Sequence, residues 1–228
     1  MGTQEDIRPA FYALRTGGWR DYVTLLHPPY TLWHLSYVAV GAGLAPHFHL
    51  DRMLWALAAF FLALGVAAHA LDELNGRPLQ TRIPARVLVA LAVGGLAGAL
   101  AIGVGAADAW GWWLLAFVVL GGVLVPAYNL EWFGGRVHTD LGFALAWGGF
   151  PALAGFFAEA QTLRVEAVAA ALYATGLSLA QRALSTPVRR ARRELATTTG
   201  TEPLERALRG LTVAAVAIAV AVVSARLS

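Results

Sequence analysis

The chain has 228 residues, 58% of them hydrophobic and only 14% charged, with a formal net charge of +3 and a mean hydropathy of +0.60. Soluble domains carry about 25% charged residues, so the composition excludes an ordinary soluble domain and predicts an all-α integral membrane protein. Cysteine is absent, which rules out disulfides, thiolate metal ligands and a cysteine nucleophile.

Residues 1–26 mix Phe11, Tyr12, Trp19 and Tyr22 with three arginines. They predict an N-terminal segment lying at the membrane interface, ahead of a single transmembrane helical domain over 27–228. Seven apolar segments follow in that domain: Tyr30–Ala45, Met53–Leu71, Val87–Ala106, Trp110–Leu130, Leu141–Ala158, Val165–Leu184 and Leu208–Ala225. Each is read as one transmembrane helix. Prolines 28 and 29 open the first, where a missing N–H costs nothing.

The 17 basic residues are all arginine, and they divide unequally between the two sides of such a bundle. Fourteen fall before the first segment or in the loops after the second, fourth and sixth; three (Arg52, Arg164, Arg226) fall on the other side. The positive-inside rule then predicts a cytoplasmic N-terminus and an external C-terminus, with the Arg189–Arg193 run sufficiently explained as a topology signal. This distribution also removes the need for a nucleic-acid partner, despite a sequence pI near 9.7. The composition fits a prokaryotic plasma membrane.

Polar groups gather at the cytoplasmic ends. His69, Asp72 and Glu73 close the second segment at spacings i, i+3 and i+4, so they share one helical face. Ionisable groups beside an apolar span are costly, which makes this stretch a candidate site. The plainer alternative is a solvated helix end in which Glu73 pairs with Arg77 at i+4. Tyr128, Asn129, Glu131 and His138 stand at the end of the fourth segment and across its loop, and Gln181 and Arg182 end the sixth. His27 and His34 share a face of the first. Imidazole and carboxylate together suit Fe, Mn or Zn, so His69, Asp72, Glu73, Glu131 and His138 are candidate ligands. Tyr128 and Asn129 are candidates for touching a substrate, together with His34, Gln181 and Arg182.

Three passages resemble the UbiA superfamily of intramembrane prenyltransferases. The run from His27-Pro-Pro-Tyr-Thr-Leu-Trp-His to Gly41-Ala-Gly is similar to its first helix. Asp72-Glu-Leu-Asn-Gly-Arg-Pro-Leu-Gln-Thr-Arg-Ile-Pro84 is similar to its first aspartate-rich motif. Tyr128-Asn through Gly134-Gly-Arg-Val-His-Thr-Asp to Trp147-Gly-Gly-Phe-Pro151 is similar to its fourth loop and fifth helix. The resemblance implies a UbiA-like bundle and an isoprenoid substrate. It also implies Mg²⁺ held against a prenyl diphosphate by acidic motifs on helices two and six, and an allylic cation after ionisation. Asp72, Glu73, Tyr128 and Asn129 would then be catalytic, with Arg77 and Arg82 as phosphate contacts. The position of the second acidic motif reads Ala180-Gln-Arg-Ala-Leu-Ser-Thr-Pro187, without a carboxylate. Three functions stay open: prenyl transfer or a related ionisation and cyclisation of an isoprenoid or other lipid; a His/carboxylate metalloenzyme, oxidoreductase or hydrolase; and a non-catalytic lipid-binding membrane subunit.

Overall fold

Long runs of Ala, Leu, Val and Gly leave the backbone no water to bond to inside a bilayer, so it satisfies itself within helices. The computed structural model describes residues 7–228, and the first six residues of the interfacial segment 1–26 lie outside the described residues. Among the described residues there is no strand. The helices are α1 (Trp19–Leu25), α2 (Pro28–Leu44), α3 (Leu50–Leu74), α4 (Ala85–Trp110), α5 (Leu114–Asn129), α6 (Asp140–Ala160), α7 (Val165–Arg193) and α8 (Glu202–Leu227). Five of the seven apolar segments fall within α3, α4, α6, α7 and α8; the first runs one residue past α2, to Ala45, and the fourth begins at Trp110, the last residue of α4, and ends at Leu130, one residue past α5.

Four helices, α3, α4, α6 and α8, are long and apolar enough to cross a membrane, and α5 is a shorter apolar helix. The 26 residues of α4 rise about 39 Å, more than the hydrocarbon core of a bilayer. Valines and leucines such as Val93, Val119, Leu172 and Val213 are exposed around the waist of the bundle. Trp112 and Trp113 are exposed at one end and Trp19 and Trp132 at the other, the distribution of aromatic residues at two membrane interfaces. The chain is an integral membrane protein.

The helix α2 sits at the centre, packed on both α6 and α8 and also against α3 and α7. Its Trp33, Tyr37, Val38 and Ala42 are buried completely. The Tyr37 hydroxyl accepts from Trp33 Nε1 and from Ser178 Oγ on α7, which ties the core together. Close approach is made possible by glycine: a Cβ on Gly41 would lie 2.0 Å from the Ala152 carbonyl oxygen, and one on Gly155 would lie 2.3 Å from that of Val38.

Successive helices alternate in direction. At one end, the α2–α3 loop meets the end of α6 through His49, whose backbone and Nδ1 both donate to the buried Glu159 carboxylate. Arg226 at the end of α8 donates to the Ala45 and Pro46 carbonyls there. The start of α2 and the ends of α3, α5 and α7 collect at the other end.

Candidate functional site

Two helices depart from regular geometry where they approach that second end. In α3, residues Phe61–Ala68 form a π-helical stretch, and in α6 residues Leu145–Gly149 do the same. A π stretch widens the turn and frees a carbonyl, and such stretches concentrate at functional sites. Here the Gly65 carbonyl accepts from His69 Nδ1–H at 3.0 Å. The second stretch turns Trp147 inward, where it is 7% exposed, and sets Gly148 and Gly149 against α7.

Between these helices lies a polar chamber of about 260 Å³. From α2 and its cap it is lined by His27, Tyr30 and His34, and from α3 by Leu64, Ala68, His69 and Asp72. From α5 come Tyr128 and Asn129; from the loop and α6 come His138, Phe143 and Trp147. Gln181, Arg182, Ser185, Val188, Arg189 and Arg193 line it from one face of α7. Residues 9–12 close it from above.

The histidines are held in specific ways. His27 adopts a left-handed backbone (φ 45°) as the cap of α2, and its ring stacks on that of His69 with centroids 4.1 Å apart and planes 12° apart. The Tyr12 hydroxyl and His27 Nδ1 share a hydrogen bond of 2.7 Å. Burial holds the His27 imidazole well below its usual range, and the neighbouring His69 and Arg193 act in the same direction. His138 stacks on Tyr128 at 4.4 Å and donates Nδ1–H to the Tyr128 carbonyl. Since a carbonyl only accepts, His69 and His138 in their neutral forms each keep a lone pair on Nε2. Four buried polar atoms on the chamber wall have no partner: His27 Nε2, His34 Nδ1, Tyr128 Oη and Gln181 Oε1. Native proteins leave few such atoms unsatisfied, so the chamber is built around something polar.

Above the chamber, residues 8–13 form a strap. Arg192 and Arg193 donate to the Arg8 and Pro9 carbonyls, and Arg209 lies over the Phe11 ring at 5.2 Å. Burial raises the Tyr12 phenol well above its ordinary value, Tyr30 adding to this, so Tyr12 is a neutral donor or acceptor at physiological pH.

Of the residues expected from the sequence, the structure brings His34, His69, Asp72, Tyr128, Asn129, His138, Gln181 and Arg182 to this chamber. It leaves four outside. Glu73 is completely buried and accepts from Leu79 N, Thr81 N and Thr81 Oγ1 at 2.8–2.9 Å, so both oxygens are committed to the loop after α3. Arg77 folds back onto the Thr81 and Ile83 carbonyls of that loop. Arg82 has an exposed side chain, and its backbone N–H donates to Asp21 at 2.9 Å. Glu131 is exposed in a left-handed turn with φ 52°. Among the described residues no three of His, Asp and Glu stand where they can hold one metal ion.

Tyr12, Tyr30, Arg189 and Arg193 also reach the chamber, although the sequence did not mark them as site residues. The two arginines were absorbed by the topology signal because the apolar run ends at Leu184, yet α7 continues to Arg193. Their spacing from Arg182, i+7 and i+11, would have placed all three on one face of a longer helix.

An apolar cleft of about 120 Å³ lies beside the chamber, between α3, α4, α5 and α6. Phe60, Leu96, Phe117, Val125 and Phe150 are among its walls, and among the described residues no ionisable side chain lines it. Leu64 and Trp147 belong to the walls of both cavities. The chain matches no family model, no curated protein and no solved structure.

Proposed function

We propose that the chain is a UbiA-like membrane enzyme whose polar chamber takes the head of an isoprenoid or related lipid, the tail lying in the apolar cleft. Its reaction would be prenyl transfer or a related ionisation and cyclisation. The observation that carries this reading is the shared wall at Leu64 and Trp147: a polar and an apolar cavity in contact suit one amphiphilic ligand. In the same reading α2 to α8 make seven spans, and the arginine-rich end that contains the chamber faces the cytoplasm.

The residues support an ionisation step. A departing anion would lie near Arg182, Arg189 and Arg193, whose charge stabilises it as it leaves. The remaining allylic cation would be bordered by Tyr128, Phe143 and Trp147, whose ring faces stabilise positive charge without supplying a strong nucleophile. His69, with Nδ1–H committed to Gly65, offers Nε2 as the acceptor of a proton lost from the product. The family's metal cluster does not fit these walls, because Asp72 is the one carboxylate among the described residues that line the chamber.

Mass spectrometry of lipid extracted from the purified protein tests the reading. An isoprenoid lipid or isoprenoid phosphate is expected with the wild type, and its loss in Leu64→Trp, which obstructs the junction of the two cavities. Ordinary phospholipid alone would sink it. The histidines favour a second reading, a metalloenzyme, since His69 and His138 each donate Nδ1–H to a carbonyl as metal-bound imidazoles do. Against it, the rings of His27 and His69 are stacked, so their lone pairs run side by side instead of converging on one ion. Stoichiometric iron or zinc in the purified protein would favour this second reading.

A further inference from the structure

We infer that the chamber recognises a phosphate or diphosphate head group without a metal ion, through the basic face of α7. The inference rests on the lipid reading above for the ligand's tail, but its claim about the head is separable.

Three guanidinium groups, those of Arg182, Arg189 and Arg193, line the chamber against one carboxylate among the described residues, that of Asp72. They lie at i, i+7 and i+11 on one helix, with Ser185 between them and Gln181 just before Arg182, all lining the chamber. Protein partners occupy few of their donors among the described residues. Arg182 Nε meets Asp140 at 2.8 Å, and that carboxylate is largely exposed. Arg189 donates to the Thr186 hydroxyl at 3.2 Å. Arg193 reaches the Pro9 carbonyl at 3.4 Å. Like charges on one face repel, and a multiply charged anion beside them relieves that repulsion. The guanidinium fork suits phosphate oxygens geometrically, since it presents paired N–H donors.

The unpartnered atoms supply an independent observation. Gln181 is 2% exposed, and its Oε1 has no partner. On the facing wall, His27 Nε2 and Tyr128 Oη are also buried and unpaired. A hydrated or partly protonated phosphate can satisfy both acceptors and donors in such a ring. A metal bridge between α3 and α7 has no footing, because α7 carries no carboxylate after Glu166. Glu73, the acid next to Asp72 on α3, is spent on its own loop. Positive charge therefore comes from α7 itself, at the place where the resemblance would put an acidic metal motif.

Thermal unfolding of the full-length protein in detergent, with EDTA present, tests this with three probes: farnesyl diphosphate, inorganic pyrophosphate and farnesol. Farnesyl diphosphate is expected to stabilise most, without added Mg²⁺ and less strongly at high salt. Arg189→Gln should weaken its apparent affinity by about tenfold or more, the usual consequence of losing a charged hydrogen bond, with Arg189→Lys retaining part of it. Asp72→Asn should strengthen binding, because it removes the negative charge that faces the anion. A requirement for Mg²⁺, or loss of binding in Asp72→Asn with Arg189→Gln indifferent, would overturn the inference in favour of a metal-bridged head. Equal stabilisation by farnesol would overturn the anion site and leave the lipid reading standing. Pyrophosphate as effective as farnesyl diphosphate would support the anion site while removing the case for a lipid tail. No response to any probe would overturn both.

Discussion

Asp72 and Glu73 are neighbours with opposite fates, because adjacent residues on a helix point about 100° apart. Asp72 faces the chamber, whereas Glu73 points to the loop that follows α3 and serves as its internal anchor. Glu73→Gln replaces an acceptor oxygen with an NH₂ group aimed at a backbone N–H, and also removes the charge. It should lower stability by about 1.5–3 kcal/mol, read as a lower melting temperature in detergent. A metal-ligand role predicts no such loss in metal-free protein. The sequence shows the spacing of His69, Asp72 and Glu73, and hence their nearness to one helix end. Which carboxylate would face inward was not legible there, since it depends on where residues 79–81 pass. The stacking of His27 on His69 was hidden for a similar reason: 42 residues and a whole hairpin separate them in the chain.

At the scale of the element, α2 is a helix chosen for close contact. Its Gly41 and the Gly155 of α6 let two backbones meet, carbonyl to Cα, where no side chain fits. Gly41→Ala should therefore destabilise the bundle by about 1–3 kcal/mol, because its new methyl meets a backbone carbonyl that cannot move aside. Gly94 on α4 meets nothing within 4 Å, so Gly94→Ala should be neutral or stabilise by up to about 1 kcal/mol through helix propensity. Thermal unfolding of the two variants side by side checks the contrast. The apolar segments locate α2 to α8 within a few residues, since burial in lipid demands continuous apolar runs. They misplace the end of α7, where the helix outruns its apolar stretch by nine residues, from Leu184 to Arg193. The two π stretches left no trace either, for they arise from how a turn must widen to meet its neighbours.

For the whole molecule, alternation of helices brings separated polar ends to one mouth and leaves an apolar waist for lipid. The asymmetry of the arginines then predicts which mouth is cytoplasmic. Because the chain has no cysteine, single cysteines report the orientation without background. Thr162→Cys, in the loop between α6 and α7, should react with a membrane-impermeant maleimide on intact cells. Thr198→Cys, between α7 and α8, should react only after permeabilisation, and the reverse pattern would invert the protein. By itself the sequence determined that this is a helical membrane protein, where its helices run, and that ionisable groups cluster at their ends. Those properties follow from hydropathy and helical periodicity, which act along a single segment. Only the tertiary structure decided that Arg189, Arg193, Tyr12 and Tyr30 join the chamber, that Glu73, Arg77, Arg82 and Glu131 do not, and that an apolar cleft opens beside it. Cavity walls are made by residues distant in the chain, and their membership depends on how helices cross.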